Sequence, residues 1–476
     1  MDIDSFLAAN KSMVIAPAGY GKTYTIAEIL SAYQGKKKIL VLTHTHAGIA
    51  SLKEKFFSKR IPSSLYQLDT ICSFALNLTK TYHINKDEIP SEDDVNTMFK
   101  YAVDHAILIL KANPIKCLLR AKYDHLIVDE YQDCSVAQHL MILEMANAIK
   151  THILGDPLQG IFGFKGQPIV NFEDSSFDPF KSNQQALDTP WRWINAGNPQ
   201  LGKDLDKIRK KLIAGDNIDL RDYSTIEITI GANNDYAIPH SDCKKTIFAE
   251  LRKDTIIIHS NSTSISPRKS VVKQYPQLQL IESIDDKDYY KWCQTFDNFS
   301  GQTLIAAVAN MLRSLSSNTP INNWIKEDGT LKRKQKIEDQ EIAKSISTFA
   351  NNLLHKKSYK AIVSLMNAIQ NIPGIKIYRK DFYKDICRIL IEADVLDITA
   401  SEALLRNRNI TRRKGRVVLK RSIGTTLLTK GLEFDNVVIL NAQDFNDPKH
   451  LYVALTRCSK RLIVITDNPI LHPYAI

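Results

Sequence analysis

The sequence predicts an α/β fold with parallel β-sheets and more than one domain. An apolar run beginning at Val14 leads into a loop of small residues and then into a helical pattern, which is the order strand, loop, helix. Other short apolar runs end in polar or acidic residues, as buried strands of parallel sheets do. The chain has 476 residues, more than a single hydrophobic core usually supports, so at least two domains are expected.

Composition narrows the class of protein. Hydrophobic residues make up 44% of the chain, no apolar run approaches the length of a membrane span, and the N-terminus lacks the basic segment of a signal peptide. The seven cysteines are scattered without a C-x-x-C pair, which argues against zinc, iron–sulfur clusters and a disulfide framework. We therefore expect a globular protein of the reducing cytoplasm with no membrane contact. The net charge of +11 fits either a polyanionic partner or general solubility.

The loop after the first strand has the chemistry of a phosphate-binding loop. Its residues are Ala16, Pro17, Ala18, Gly19, Tyr20, Gly21, Lys22 and Thr23. In such a loop, backbone N–H groups and a helix N-terminus hold phosphates, Lys22 reaches the β- and γ-phosphates, and the Thr23 hydroxyl ligates Mg²⁺. Ala16 stands where the motif usually has glycine, and alanine fits this turn if its φ stays negative. The alternative is a glycine-rich turn that binds nothing.

The next apolar run continues the first sheet. Residues Ile39–Thr43 are predicted to form a buried strand, and a helix is predicted over Ala47–Phe57. His44 and His46 follow the strand, at the end where ligands meet such sheets. Because no third ligand is nearby, a metal site is the weaker interpretation of these two histidines.

A later strand ends in two carboxylates. His125–Val128 leads directly into Asp129 and Glu130. In a chain with a phosphate-binding loop, the first acid fits Mg²⁺ coordination and the second fits polarisation of the attacking water. The alternative is two solvated acids before a turn. A further predicted strand, Thr151–Asp156, leads to a loop that contains Gln159.

The second half of the chain mixes strand and helix patterns. Predicted strands are 225–230, 255–260, 417–419, 437–440 and 462–465, and predicted helices include 303–315 and 342–354 within a mainly helical stretch of about 285–413. Two basic clusters accompany this stretch. The cluster at 332–336 fits a solvated face as well as a DNA contact. The cluster at 406–414 favours phosphate contact, because each Lys or Arg adds to counterion release.

Five further motifs follow the phosphate-binding loop in order. They are Asp129–Asp133 (D-E-x-Q-D), Gly155–Gly166 (G-D-x-x-Q-S-I-Y-G-W-R-G), Pro190–Arg192 (N-Y-R), Thr429–Asp435 (A-K-G-L-E-F) and Leu451–Cys458 (L-x-Y-V-A-x-T-R-A). Together with the loop, they make the chain resemble the UvrD/Rep family of superfamily 1 DNA helicases. The resemblance spans nearly the whole chain.

The resemblance implies two RecA-like P-loop motor domains in tandem, each with a helical insertion, and ATP bound between them. The boundaries predicted on this basis are 1–79 and 121–190 for the first motor domain, 80–120 for its insertion, 191–284 and 415–476 for the second motor domain, and 285–414 for the second insertion. Both insertions look short for the family.

The resemblance also implies roles at an ATP site. Lys22 and Thr23 would bind phosphate and Mg²⁺, and Asp129 would hold the metal. Glu130 would act as the general base, and Gln159 would sense the γ-phosphate.

Other residues of the implied site come from the later motifs. Arg192 and Arg457 would supply the arginine charges that stabilise phosphoryl transfer. Trp191 would stack on adenine where the family has Tyr, and Glu433 would meet the ribose. The family's N-terminal glutamine, which reads adenine, has no match here, so nucleotide selectivity is expected to be looser.

The implied DNA contacts depart from the family's pattern at several positions. Phe164 replaces a Trp that stacks on a DNA base, and an aromatic ring keeps that stacking, worth about 1–3 kcal/mol per base. The alternative is that Phe162 and Phe164 only anchor their loop. Thr43, His44 and Ser73 belong to segments that touch the DNA backbone in the family, but both segments differ here, so the DNA path is expected to be adjusted.

Two function classes follow from these observations. The first is an ATP-dependent 3′→5′ translocase or helicase acting on single-stranded or partly duplex DNA. The second is a regulatory ATPase subunit that gates an attached nuclease with little unwinding. Short UvrD-like helicases accompany OLD-family nucleases in bacterial anti-phage systems such as Gabija. No nuclease motif is visible in the chain, so any cutting would require a partner.

Overall fold

The computed structural model of the chain describes all residues except 84–87, 89, 91–94, 164–167, 233, 261–262, 283–286, 335, 415–419 and 475–476. The described residues group into two compact units. The first consists mainly of residues 1–228 and 430–476, and the second of 229–411 and 420–429. This grouping does not coincide with the predicted division at 190/191, and the domain boundaries given above stay predictions.

The first unit alternates strands and helices. Its strands are β1 (Lys11–Ile15), β2 (Lys38–Thr43), β3 (Tyr66–Thr70), β4 (Tyr123–Val128), β5 (Lys150–Gly155), β6 (Gln184–Ala186), β7 (Ile218–Asp219), β12 (Phe434–Leu440), β13 (Cys458–Thr466) and β14 (Ile470–Leu471). Its helices are α1 (Ile3–Ala8), α2 (Lys22–Ala32), α3 (His46–Ser58), α4 (Ile71–Tyr82), α5 (Val95–Lys111), α6 (Asn113–Lys122), α7 (Val136–Ala146), α8 (Asp178–Lys181), α9 (Trp191–Asn195), α10 (Pro199–Ala214) and α21 (Pro448–Leu455). Strand β8 (Ile226–Ile230) contains the division between the units.

A parallel sheet forms the centre of this unit. Its strand order is β3-β2-β4-β5-β1-β6, and its five neighbouring pairs are all parallel. Strands β12 and β13 also pair in parallel. Parallel neighbours align their carboxyl ends along one edge, so the residues after β1, β4 and β5 meet there. That edge carries the phosphate-binding loop, Asp129 with Glu130, and the Gln159 loop.

Both faces of the sheet are buried. Successive strand residues point to opposite faces. Residues that pack on one face against α1, α2 and α3 include Val14, Ile39, Val41, Ile127 and Leu154. Residues that pack on the other face with α4 to α7 include Met13, Leu40, Leu42, Leu126 and Ile153. The near-continuous apolar strands in the sequence are explained by this double coverage.

Two buried histidines are linked within this sheet. His152 Nδ1 lies 2.7 Å from Ser12 Oγ, and its Nε2 lies 2.9 Å from His125 Nδ1. Burial, together with the charge of Lys150, lowers the pKa of His125 to about 4, although Asp124 opposes the effect. Burial also lowers the pKa of His152 well below its usual value. Both rings are therefore neutral in the folded protein at pH 7.

We predict that this pair makes stability sensitive to acid. The unfolded chain binds a proton at His125 near pH 6.5, whereas the folded chain does so only near pH 4. The free energy of unfolding is therefore unaffected by this group above pH 6.5 and decreases as the pH falls from 6.5 towards 4. For one such group the loss at pH 5 is about 2 kcal/mol. Thermal unfolding at pH 7 and pH 5 should show a smaller acid shift for His125→Asn than for the wild type. His355→Asn, at an exposed histidine, is the control. Equal acid shifts in all three proteins would contradict the assignment.

The second unit is mainly helical. Its strands are β9 (Thr255–His259), β10 (Gln279–Leu280) and β11 (Ser422–Gly424), and they pair in parallel in the order β10-β11-β9. Helices that belong to it wholly or mostly are α11 (Asp242–Glu250), α12 (Ser266–Gln274), α13 (Lys287–Asn298), α14 (Gly301–Leu315), α15 (Asn318–Trp324), α16 (Ile337–His355), α17 (Tyr359–Gln370), α18 (Lys380–Leu396), α19 (Ala400–Lys414) and α20 (Thr426–Thr429). The predicted strand at 417–419 lies outside the described residues.

A single apolar core joins α13 to α19. Its largest members include Trp292, Phe296, Trp324 and Phe382. The amphipathic pattern of these helices in the sequence is explained by this shared core. Among the described residues, no helix combines the length and apolar character needed to cross a bilayer.

Candidate active site

The loop between β1 and α2 turns sharply to expose its backbone. Gly19 and Gly21 have φ of +76° and +85°, a conformation that glycine adopts without strain. A Cβ on Gly19 would also lie 2.9 Å from the Cβ of Arg192, so this close approach leaves no room for a side chain. Ala16 has no positive φ, and its N–H donates to the Gly155 carbonyl at 2.9 Å. Alanine is therefore accommodated at the position where the motif usually has glycine.

Lys22, the first residue of α2, faces the two carboxylates that follow β4. Its Nζ lies 2.6 Å from Glu130 Oε1 and 3.4 Å from Asp129 Oδ1. Glu130 has a φ of +55°, and its N–H donates to Asp129 Oδ1 at 2.9 Å. Gln132 donates from Nε2 to Glu130 Oε2. A left-handed glutamate at the end of a strand is an uncommon backbone conformation, and such conformations cluster at functional sites.

Opposite charges dominate the electrostatics of this cluster. Burial alone would lower the pKa of Lys22, but attraction to Glu130 and Asp129 outweighs it and raises that pKa. Burial would likewise raise the pKa of Glu130, but the charge of Lys22 lowers it. Burial raises the pKa of Asp129 in spite of Lys22. Lys22 and Glu130 are therefore both charged at neutral pH.

The oxygen donors at this position fit Mg²⁺. The ion takes oxygen ligands and commonly combines one or two carboxylates with phosphate oxygens and water. The Thr23 hydroxyl and the Asp129 carboxylate would hold it here. Within the described part of the chain, no group of three or more His, Cys, Asp or Glu residues could hold a metal ion. An ion at this site would therefore depend on phosphate and water for its remaining ligands.

Gln159 is held by its own loop. Its Nε2 donates to Asp156 Oδ2 at 3.0 Å, and Asp156 Oδ1 accepts from Arg209 Nη2, also at 3.0 Å. The backbone N–H of Asp156 donates to Gln132 Oε1 at 3.1 Å. Because Gln132 also contacts Glu130, a chain of hydrogen bonds connects Glu130 to the loop that carries Gln159.

Two arginines from distant parts of the sequence enter the same region. Arg457 is 2% exposed, and its Nη2 lies 3.5 Å from Gln159 Oε1. Burial, with the neighbouring charge of Arg192, lowers the pKa of Arg457 to about 10, so it remains charged at pH 7. Arg192 Nη2 pairs with Glu433 Oε1 at 2.5 Å, and its Nη1 donates to the carbonyl of Thr456.

These groups line one cavity of about 610 Å³, which lies entirely within the first unit. Its lining includes Ala16, Pro17, Ala18, Gly19, Gly21, Lys22, Thr23, Glu130, Gln159, Trp191, Arg192, Glu433 and Arg457. Trp191 is 49% exposed, and its Cδ1 would lie 3.1 Å from a Cβ on Gly21. The cavity thus combines an anion-binding loop, a flat aromatic ring and cationic side chains, which is the chemistry that a nucleotide requires. We call it the nucleotide cavity.

Comparison with known proteins finds similarity to helicases. A profile for the AAA domain matches residues 2–165. Gabija protein GajB of Bacillus cereus (strain VD045) is 24% identical over 398 residues, which cover 78% of this chain and 69% of GajB. ATP-dependent DNA helicase UvrD1 of Mycobacterium tuberculosis (strain ATCC 25618 / H37Rv) is 26% identical over 127 residues, which cover 24% of this chain and 16% of UvrD1. These matches support a superfamily 1 helicase, in agreement with the UvrD/Rep resemblance of the motifs. The enzyme class of the chain is ATP-dependent DNA helicase, and its fold class is α/β with tandem RecA-like motor domains, as predicted.

The match to longer helicases is partial. The chain spans 69% of the length of GajB but only 16% of the length of UvrD1. A solved structure, the Pif1 helicase from Candida albicans, is 13% identical and covers 98% of this chain and 92% of its own. Its TM-score is 0.38, which is too low to support an argument about shared detail.

Three of the predicted DNA-binding residues have partners or surroundings within the protein. Thr43 is buried, and Ser73 accepts a hydrogen bond from Thr70 Oγ1 at 2.8 Å. His44 Nε2 lies 3.3 Å from Cys134 Sγ, and burial lowers the pKa of His44 to about 4. A His44 side chain in this state is neutral at pH 7, so it would contact a phosphate by hydrogen bonding and not by charge.

The loop that carries Phe162 and Phe164 is described only in part. Phe162 is half-buried, with Lys430 Nζ 4.4 Å from the centre of its ring. That contact resembles a loop anchor as much as a free stacking surface. Phe164 lies outside the described residues, so its predicted role stays a prediction.

Several residues around the nucleotide cavity were missed by the sequence analysis. Lys430 Nζ pairs with Asp133 Oδ1 at 2.5 Å and also donates to the carbonyl of Gln159. The hydroxyl of buried Tyr452 accepts from the Ala18 N–H at 3.2 Å. Lys430, Asp133 and Tyr452 all lie within the motifs quoted above, and that position could have identified them as residues of the site. Arg209, which pairs with Asp156, stands outside those motifs.

Proposed function

We propose that this chain is an ATP-driven motor that moves 3′→5′ on single-stranded DNA and separates duplex ahead of it. The polarity is implied by the UvrD/Rep resemblance. ATP with Mg²⁺ is the energy source, and single-stranded or partly duplex DNA is the track. The observation that carries the proposal is the nucleotide cavity, which is lined by residues from all six motifs quoted above.

The chemistry follows from the groups around the cavity. Backbone N–H groups of the loop and the Lys22 ammonium would bind the β- and γ-phosphates. Thr23 and Asp129 would hold Mg²⁺, whose charge offsets that of the phosphates when it is bound. Glu130 would accept the proton of the attacking water, and its ionised state suits that role. Trp191 would stack on the base.

Three groups would act on the γ-phosphate. Gln159 would sense it, and Arg192 and Arg457 would stabilise the charge that spreads over its oxygens during transfer. In the structure Arg192 is paired with Glu433 at 2.5 Å. We propose that ribose binding engages Glu433 and so releases Arg192 toward the phosphates.

A second candidate is supported by the extent of one match. Similarity to Gabija protein GajB covers 78% of this chain, compared with 24% for the match to UvrD1. On that basis the protein would act in antiviral defence, as a DNA-sensing ATPase that gates a nuclease partner of the OLD-family type and unwinds little DNA.

Strand displacement distinguishes the two candidates. A labelled duplex with a 3′ tail, a matched duplex with a 5′ tail and a blunt duplex are each mixed with excess protein and one pulse of ATP. A motor of the proposed polarity separates only the 3′-tailed duplex and requires ATP hydrolysis. Separation of the 5′-tailed duplex alone would overturn the polarity. DNA-stimulated ATP hydrolysis without displacement of any duplex would favour the gating ATPase.

The loop that contains Phe162 and Phe164 provides a further prediction. Phe164→Ala should weaken single-strand binding by about 1–3 kcal/mol, the worth of one stacked base, and leave basal hydrolysis nearly unchanged. Fluorescence anisotropy with labelled oligo-dT measures the affinity. The matched variant is Phe162→Ala, which removes the ring that packs against Lys430. Unchanged affinity and unchanged DNA-stimulated hydrolysis in Phe164→Ala would make that residue a loop anchor only.

A further inference from the structure

The second unit contains a cavity of about 490 Å³ that shares no lining residue with the nucleotide cavity. It is formed by the end of α12, the turn that follows it, and the segment between α17 and α18. Its floor is apolar, because Val272 and Leu278 are buried and Ile375 and Ile377 are half-buried. A preformed apolar concavity of this size can take one or two large side chains of a ligand.

Lysines surround this floor. Lys376, Lys380 and Lys384 line the cavity, and Lys273 Nζ lies 5.8 Å from the centre of the Tyr378 ring beside it. All four lysines are exposed. Lys380 and Lys384 are one turn apart on α18, so they share one face of that helix. We call the apolar floor and these four lysines the basic groove.

Among the described residues, no ion pair balances the charge of this rim. Within the residues that the structure describes, Lys273, Lys376 and Lys384 form no ion pair, and Lys380 Nζ donates to the Pro276 carbonyl at 3.3 Å. Asp385 is the neighbour of Lys384 in the sequence, but its carboxylate is held by Arg388 at 2.9 Å and by the Tyr289 hydroxyl at 3.2 Å. The groove therefore presents positive charge around an apolar centre.

The groove is held rigidly at one side. Arg379, the residue before α18, is 1% exposed, and its Nε donates to Glu282 Oε2 at 2.7 Å. Arg379 also pairs with Asp288 at the start of α13. These contacts fix the first turn of α18, and with it Lys380 and Lys384. A site ordered before binding loses less entropy when its ligand arrives.

We propose that the basic groove is a docking site for a partner protein that presents a short acidic segment with bulky apolar side chains. The acidic groups would meet the lysine rim, and the apolar side chains would fill the floor. Nucleic acid fits less well, because sequence-tolerant binding of single strands uses exposed aromatic faces. Here Tyr383 is buried, and one side of half-buried Tyr378 faces Lys273. The inference goes beyond the proposed motor activity and does not depend on ATP hydrolysis.

The test uses the full-length chain and a defined probe. The probe is a fluorescein-labelled peptide in which a run of Asp and Glu precedes Leu-Phe, and its binding is followed by fluorescence anisotropy. One control peptide replaces the acids by Ser, and another replaces Leu-Phe by Ser-Ser. We expect saturable binding of the probe and affinity about tenfold or more lower for each control peptide, because each lacks one of the two complementary features.

Charge-reversal variants locate the site. The double variant Lys376→Glu/Lys384→Glu should bind the probe about tenfold or more weakly, since like charges then face each other. The matched control Lys344→Glu/Lys356→Glu makes the same charge change at exposed lysines outside the groove lining and should bind normally. All four replaced side chains are exposed, so thermal unfolding midpoints should stay close to that of the wild type.

Three results would overturn the proposal. The first is the absence of saturable probe binding, and the second is equal loss of binding in both double variants. The third combines two observations: oligo-dT displaces the probe, and oligo-dT binds Lys376→Glu/Lys384→Glu more weakly than it binds the control variant. That result would make the groove a nucleic-acid contact. Because ATP hydrolysis is not needed for any of these measurements, failure here and failure of the motor activity remain distinguishable.

Discussion

Replacement of Glu130 by glutamine is expected to slow ATP turnover by about 10²- to 10⁴-fold, the usual contribution of a general base. The amide keeps nearly the same shape but cannot accept the proton of the attacking water. ATP binding should largely survive, because Lys22, Thr23 and Asp129 remain. Steady-state hydrolysis with saturating DNA measures turnover, and titration with a fluorescent ATP analogue measures binding.

Two further variants make this result interpretable. Lys22→Ala should abolish turnover and also weaken ATP binding, since it removes the ammonium that lies 2.6 Å from Glu130 and would meet the phosphates. Glu144→Gln makes the same chemical change as Glu130→Gln on α7, where Glu144 pairs with Lys116 at 3.5 Å, and should hydrolyse ATP normally. Wild-type turnover in Glu130→Gln would exclude Glu130 as the base.

Local sequence was sufficient to predict the parts of the site that are formed by one short stretch of backbone. The phosphate-binding loop is strand, turn and helix within a few residues, so its residues and the special glycines could be recognised directly. Asp129 and Glu130 lie beside Lys22 because the ends of parallel strands meet at one edge of a sheet, but the ion pairs between them were not predicted. The helices predicted at 303–315 and 342–354 lie within α14 and α16, whose apolar faces form the core of the second unit.

Long-range polar partners could not be predicted in this way. Arg209 pairs with Asp156 across 53 positions, and Tyr452 reaches Ala18 across 434. Such contacts are set by how elements pack, and they leave no periodic trace in either segment. The left-handed φ of Glu130 is similarly hidden, since glutamate has no preference for that conformation.

The basic groove also could not be predicted from local sequence. Its four lysines come from α12, the segment before α18 and α18 itself, and no two of them are adjacent in the sequence. The clusters that stand out in the sequence, at 332–336 and 406–414, are runs of neighbouring basic residues. Charge that converges through folding is therefore harder to recognise than charge that is contiguous.

Removal of either arginine of the nucleotide cavity should slow ATP hydrolysis much more than it weakens ATP binding. An arginine that stabilises phosphoryl transfer contributes about 10³- to 10⁵-fold to turnover, because its charge acts chiefly in the transition state. Arg192→Ala is the cleaner variant. Its main polar contacts are Glu433, which lines the nucleotide cavity, and the carbonyl of Thr456, which is buried.

Arg457 requires a more careful design. It is almost fully buried, and its Nε donates to the Val453 carbonyl at 3.0 Å, so alanine there would also remove support from the end of α21. Arg457→Lys retains the charge but loses the planar set of donors, and should therefore lower turnover while preserving the fold. Arg461→Ala, which breaks the partly exposed ion pair with Glu227, is the matched control and should leave turnover unchanged.

The decisive comparison is between turnover and binding within each variant. Steady-state hydrolysis is measured with saturating single-stranded DNA, ATP analogue affinity by titration, and folding by the thermal unfolding midpoint. A large fall in turnover with near-normal affinity and midpoint places the arginine charge in the transition state. A parallel fall in affinity and midpoint would instead make Arg457 a structural support of α21. Normal hydrolysis by both Arg192→Ala and Arg457→Lys would exclude the convergence of the two arginines on one γ-phosphate, whatever the distances in the cavity.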